Sequence, residues 1–283
     1  MIVTHSYKDV HSNEEIPCET RAPLDCSLYD DDYDVLASFP FYVNIQPDGV
    51  HSSTTYAFQE TENQIYMLVI ENENVLPLTL FCLKHLKYFN MINSSIFPSF
   101  SDNDADFQFP PEIEHLSSSL TTIYIENTKV TQLPEEFGKL KNLSSFEMRN
   151  TGLNNLPDTI GNLPLNFLRL DKNNLVSLPK TMSNIESLNM LILDDNPRLH
   201  SLQSLNGNRN VRHIMTRNCS IDRLPYNLPN LASLLISNNN LRNLDGIETL
   251  GHNTNKTRRS NKSGKRSKME PLRTHSMVFE MRS

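Results

Sequence analysis

The sequence predicts an α/β solenoid, with a parallel concave β-sheet and short helical or 3-10 turns on the convex side. Three observations predict it. One apolar pattern recurs eight times in the 283 residues, at a spacing of 20 to 23 residues with one longer gap. Inside each copy the apolar residues alternate, which is the period of a short half-buried strand. Between copies, Leu-Pro opens a return segment of a few residues, and proline suits the first turn of a helix because its missing N–H has no partner there. A unit this short cannot bury its own apolar face, so neighbours must stack to close a core.

Taken in order, residues 1–55 carry no copy of the pattern. They hold an acidic run at Asp30, Asp31, Asp32 and Asp34, read as a solvated stretch, and then SFPFYVNIQPDGV, read as a strand and a Pro-Asp-Gly turn. The run lacks the glycine and distal glutamate of a calcium loop. This segment is the natural cover for the first repeat.

The repeats run from 56 to 250. IYMLVIENENV (65–75) and LKYFNMINSSI (86–96) are the weaker copies. LTTIYIENTKV (120–130), LSSFEMRNTGL (143–153), LNFLRLDKNNL (165–175), LNMLILDDNPRL (188–199), VRHIMTRNCSI (211–221) and LASLLISNNNL (231–241) are clearer. Between Leu86 and Leu120 the spacing widens, and the surplus near 97–109 is a polar, acidic insertion read as a loop at the solenoid edge. After each strand comes a position that favours asparagine, whose amide can bond the turning backbone. Asn173, Asn196 and Asn239 keep it, while Ser94, Thr128, Thr151 and Cys219 are small substitutes. NLDGIETL (243–250) begins a further unit. Residues 251–283 lose the periodicity and are read as a basic, disordered tail. Its Lys262–Lys268 stretch is similar to a nuclear-import cluster.

Charge divides the chain. The tail has nine Lys/Arg against Glu270 and Glu280, a balance of +7, leaving residues 1–250 with 17 basic and 31 acidic residues, a balance of −14. An acidic body argues against nucleic acid as the main partner, because phosphates require Lys/Arg on the binding face. No apolar run approaches the ~20 residues of a membrane span, and MIVTHSYKDVHSNEE does not read as a secretory signal. The expected location is therefore cytoplasmic. The four cysteines show no CxxC spacing and are read as free thiols, Cys82 and Cys219 inside repeats. Sequons at Asn93, Asn142, Asn218, Asn255 and Asn261 support the alternative of an extracellular protein, for which a Cys18–Cys26 disulfide is expected.

The repeats resemble the leucine-rich repeat superfamily over roughly 65–250. Their LPxxIGxLxxL phrase (LPDTIGNLPL, 156–165) is similar to intracellular Ras-pathway scaffolds and plant Ras-group leucine-rich repeat proteins. The resemblance implies a curved horseshoe that binds protein on its concave sheet. The pleat then assigns the face. In L-x-x-L-x-L the leucines point inward, so the residues between them point out. One outward column holds Tyr124, Glu147, Arg169, Ile192, Met215 and Leu235. A second includes Phe167, Met190 and His213, and a third Glu126, Arg149, Asp171, Asp194 and Arg217. Phe167, Met190, Ile192, Met215 and Leu235 fall on adjacent strands and are expected to form an exposed apolar patch of the kind that marks contact surfaces. No nucleophile elbow, phosphate loop, HExxH or paired Cys/His pattern is present, so no catalytic residue, metal or cofactor is expected. The function expected is a non-catalytic interaction module or scaffold for a partner protein in intracellular signalling. The alternative is a fragment of a secreted or membrane-anchored recognition protein.

Overall fold

The structure is a computed structural model and describes residues 6–8, 15–17, 23–46, 55–61, 63–95, 108–251, 256–258 and 278–281. Strands β1 (Ser6–Lys8) and β2 (Glu15–Pro17) pair antiparallel, apart from the main sheet. The acidic run then becomes a helix, α1 (Asp32–Ala37), because Asp31 caps it. The Asp31 carboxylate accepts from Tyr33 N at 2.8 Å and Asp34 N at 3.1 Å, which satisfies two of the orphan donors of a first turn. Asp32 is buried rather than solvated. It accepts the Ile65 N–H at 2.7 Å and faces His85 Nδ1 at 3.2 Å, while Val35 and Leu36 enter the core.

The main sheet takes in β3 (Asn44–Gln46), β4 (Tyr56–Thr61) and β5 (Gln64–Glu71), followed by one strand per repeat. These are β6 (Tyr88–Ile92), β7 (Thr122–Glu126), β8 (Ser145–Arg149), β9 (Phe167–Arg169), β10 (Met190–Ile192), β11 (His213–Met215) and β12 (Ser233–Leu235). From β5 to β12 every pairing is parallel. The exception at the N-terminal end is β4, which runs antiparallel to β5 and parallel to β3. The expected strand of the N-terminal segment is β3; its Pro-Asp-Gly turn lies outside the described residues.

At the other end the tail contributes β13 (Lys256–Arg258) and β14 (Val278–Met281). Strand β14 pairs antiparallel with β12, and β13 with β14. Both strands fall within the stretch read as a disordered tail, whose residues 252–255, 259–277 and 282–283 lie outside the described residues.

Inward leucines and their equivalents form one continuous core, from Val35 to Leu250. On the convex side Leu-Pro opens a 3-10 turn at Glu135–Lys139, Asp158–Asn162 and Lys180–Asn184, whereas no 3-10 turn follows Leu224–Pro225. Phe81, Phe109 and Phe137 stack edge-on behind successive strands, at centroid distances of 6.2 and 5.5 Å. Phe109 closes the expected insertion, yet it is fully buried; residues 96–107 are outside the described residues. Successive turns touch backbone to backbone. A Cβ on Gly138 would lie 2.4 Å from Thr159 Cβ and 2.7 Å from its carbonyl, and Gly161 meets Thr181 the same way. The threonine hydroxyls donate across the seam, Thr159 to Glu135 O at 2.8 Å and Thr181 to Asp158 O at 2.6 Å.

The buried ladder runs where the sequence places it. Asn173 donates to Met148 O (2.7 Å) and accepts from the N–H groups of Thr151 and Leu153 (both 3.1 Å), so one side chain links two repeats. Asn196 and Asn239 repeat the pattern, and Cys219 substitutes with its thiol on Leu193 O at 3.3 Å. One core position departs from the apolar rule. Thr216 stands where the other repeats carry Leu, Ile or Met, and it is fully buried.

Candidate protein-binding face

The face is positioned by register. Tyr124, Glu147, Arg169, Ile192, Met215 and Leu235 are direct cross-strand partners from β7 to β12. They form a single row perpendicular to the strands. Beside it Phe167, Met190 and His213 form a second row. The structure thus brings the apolar side chains of the sequence-defined patch onto adjacent strands. All five are half-buried rather than fully exposed, because side chains at ~4.8 Å strand spacing shade one another.

The charged column is a connected network. Asp171 receives Arg169 Nε at 2.6 Å and Arg149 Nε at 3.2 Å. Arg149 continues to Glu126 at 3.2 Å, and the Tyr124 hydroxyl donates to Glu126. Burial first, then that bond, pushes the Tyr124 hydroxyl above its ordinary value. Arg217 is held by Asp194, with Nε at 3.0 Å and the Arg217 N–H at 2.6 Å. Asp171 and Asp194 are only 4% and 7% exposed. That corrects their assignment as partner-facing residues: they lie beneath arginines that fold over them. Glu147 is the outlier. Its carboxylate is half-buried and its nearest cation is Arg169 at 3.9 Å. Loss of water raises its pKa most, while Arg169 and then Arg149 pull it down.

Two features of this face escape the repeat pattern. Towards β4, the rings of Tyr56, Phe58, Tyr66 and Tyr88 form an aromatic cluster with successive centroids 5.4, 6.3 and 6.2 Å apart. The alternation in Tyr-Ala-Phe was the available signal, since Ala57 faces the core and its neighbours do not. Along the edge where the chain leaves each strand, Asn93, Asn127 and Asn150 adopt left-handed backbone, at φ 49°, 51° and 51°. Asparagine tolerates that region better than most residues. Their exposed amides bond one another, Asn127 to Asn93 at 2.9 Å and Asn150 to Asn127 at 2.8 Å. After Lys172 the rail resumes, Asn218 to Asp195 and Asn238 to Asn218, both at 2.7 Å.

Away from the face, Cys26 and Cys82 form a disulfide with Cα atoms 5.2 Å apart, tying the turn before α1 to the first convex 3-10 helix. This corrects both the Cys18–Cys26 pairing and the reading of Cys82 as a packed thiol; Cys18 is outside the described residues. Cys219 is free and buried, and burial pushes its thiol up to about 12. Among the described residues, no group of three His, Cys, Asp or Glu could hold a metal ion, and no helix is long and apolar enough to cross a membrane.

A family model described as "Leucine-rich repeat region" matches residues 110–282. Mouse volume-regulated anion channel subunit LRRC8B is 24% identical over 258 residues, 87% of this chain and 29% of that protein. The Arabidopsis thaliana protein SUPPRESSOR OF npr1-1, CONSTITUTIVE 1 is 29% identical over 138 residues, 48% of this chain and 9% of that protein. The chain therefore spans less than a third of either relative. Among solved structures, an internalin from Listeria monocytogenes aligns at 17% identity and a TM-score of 0.46, covering 59% of this chain and 48% of that one.

Proposed function

The chain belongs to the leucine-rich repeat family, and from that premise we propose that it is a non-catalytic interaction module whose concave face holds a partner protein in a cytoplasmic signalling assembly. The observation that carries this reading is the apolar row Ile192–Met215–Leu235 with Phe167 and Met190 beside it. The fold requires apolar residues only at inward positions, so an apolar row on the outward face calls for another explanation. Methionine there suits a surface that adapts to a ligand. The charged network beside it contributes to specificity and on-rate more than to affinity.

The test is Ile192→Glu combined with Met215→Glu, read by capture of a partner from the protein's own cells and by thermal unfolding. The expected outcome is loss of the partner with a melting temperature within about 5 °C of wild type, since surface substitutions cost little. A partner retained by the double variant would refute the reading.

The Cys26–Cys82 disulfide favours a second reading, that of a secreted or membrane-anchored recognition protein, because such bonds persist in oxidising compartments. Mass spectrometry of the protein from its cells, under alkylating and non-reducing conditions, separates the two: a dithiol supports the cytoplasm, a disulfide the extracellular reading.

A further inference from the structure

We infer that the segment received by the concave face is basic and extended, setting a Lys or Arg side chain on Glu147 and aliphatic side chains on Ile192 and Met215. The inference rests on the concave-face reading above and adds the chemistry of the ligand.

The acceptors on this face are unequally satisfied. Asp171 is taken by two guanidinium Nε groups, at 2.6 and 3.2 Å. Asp194 is taken by Arg217 through side chain and backbone. Glu126 is shared between Tyr124 and Arg149. Glu147 makes no hydrogen bond among the described residues, and its one ion pair, to Arg169, stretches to 3.9 Å because Arg169 Nε is committed to Asp171. A half-buried carboxylate has given up part of its hydration and gains most from an added donor. A cationic donor fits best, because charge-assisted bonds are the stronger class.

The field around Glu147 selects against an anion. Glu126, Glu147 and Asp171 face Arg149 and Arg169 at this end of the row, and residues 1–250 carry a balance of −14. Such a field attracts and steers cationic segments.

Geometry gives the spacing. Glu147, Arg169, Ile192 and Met215 are consecutive cross-strand partners. At ~4.8 Å per strand, Met215 lies about 14 Å from Glu147. An extended peptide covers that distance in about four residues, and side chains four apart point to the same side. The recognised pattern is therefore a Lys or Arg with an aliphatic residue about four positions away and, for Ile192, another two positions away on the same side.

A displayed library of random decapeptides, selected on the full chain, tests this. Selections run in parallel on Glu147→Gln, on the Ile192→Glu/Met215→Glu double variant and on Glu135→Gln, an exposed convex control. Circular dichroism and melting confirm that each variant is folded, and fluorescence anisotropy measures the most enriched peptide. The expected result is enrichment of Lys or Arg about four residues from Leu, Ile or Met. Binding should weaken about tenfold on Glu147→Gln and with added salt, and stay unchanged on Glu135→Gln. Enriched peptides that are acidic or uncharged, or that bind Glu147→Gln within twofold, overturn the inference. If those peptides are still lost on the double variant, the concave-face reading survives without it. Peptides that bind both variants, or a selection that enriches nothing on the wild-type chain, overturn both.

Discussion

Thr216→Val is expected to make this protein more stable, although it removes a polar group and adds no new contact class. Thr216 sits at the last inward position of its repeat and is 0% exposed. Its backbone is fully engaged: the N–H donates to Leu235 O at 2.8 Å and the carbonyl accepts Asn239 Nδ2 at 2.6 Å. The hydroxyl is different. Thr216 Oγ1 is buried with no hydrogen-bond partner among the described residues. A buried hydroxyl without a partner costs about 1–3 kcal/mol, and a buried methyl in its place contributes about 0.8 kcal/mol. Valine has nearly the same volume and the same branching at Cβ, so the strand rotamer and the packing survive. The two terms together give a gain of about 2–4 kcal/mol. In a domain of this size that raises the melting temperature by about 4–16 °C. Thermal and urea unfolding followed by circular dichroism reads it directly. Thr216→Ser is the informative partner, since it keeps the hydroxyl and deletes the methyl, and it should be destabilising. A neutral or destabilising Thr216→Val would refute the reasoning, for it would mean that the hydroxyl has a partner inside the core.

Other substitutions probe the convex seam and the cysteines. Gly138→Ala places a methyl 2.4 Å from Thr159 Cβ and against the Thr159 carbonyl, so the turns must move apart; urea unfolding should show a loss of about 1–3 kcal/mol. Cys82→Ala opens a disulfide spanning 56 residues, and chain entropy alone predicts a loss of about 4 kcal/mol, measured under non-reducing conditions; an equal loss in wild type on adding reductant would confirm the source. For Cys219 the sign follows from a pKa raised above its ordinary 9.0 to about 12 by burial. The folded chain then holds the proton longer than the unfolded one, so the contribution is complete below about pH 9 and declines as pH rises towards 12. Unfolding midpoints between pH 8 and 11 should fall faster for wild type than for Cys219→Ala, and iodoacetamide at pH 8.5 should leave the folded thiol unlabelled.

The sheet was legible because its signal repeats. Leu143, Phe146 and Met148 mean little alone, but the same spacing at 165, 168 and 170 fixes both the strand and the side that faces in. The row from Tyr124 to Leu235 follows from the pleat for the same reason. What lay outside the repeat had no second copy to check against. Tyr56 and Phe58 lie on β4, an antiparallel strand that answers to no leucine pattern. Cys26 finds Cys82 rather than the nearer Cys18 because α1 folds back onto the first convex turn. Asp171 and Asp194 point as the pleat requires, yet direction does not decide exposure; two long arginines cover one and a third covers the other. The second asparagine rail lies one residue before the buried ladder, but exposed asparagines carry no hydrophobic signal to mark it.

The close seam at Gly138 and Gly161 also sets how sharply the stack bends. A curved array turns by the mismatch between the widths of its two faces. Strands advance ~4.8 Å per repeat, whereas packed α-helices would demand 8–10 Å on the opposite side. Turns that touch through glycine and a threonine hydroxyl need far less. The arc is therefore expected to be open, with a broad trough as its inner surface. A polypeptide can be laid across such a trough from above with both of its ends continuing into larger domains, so an internal stretch of a folded protein is as eligible a guest as a free terminus.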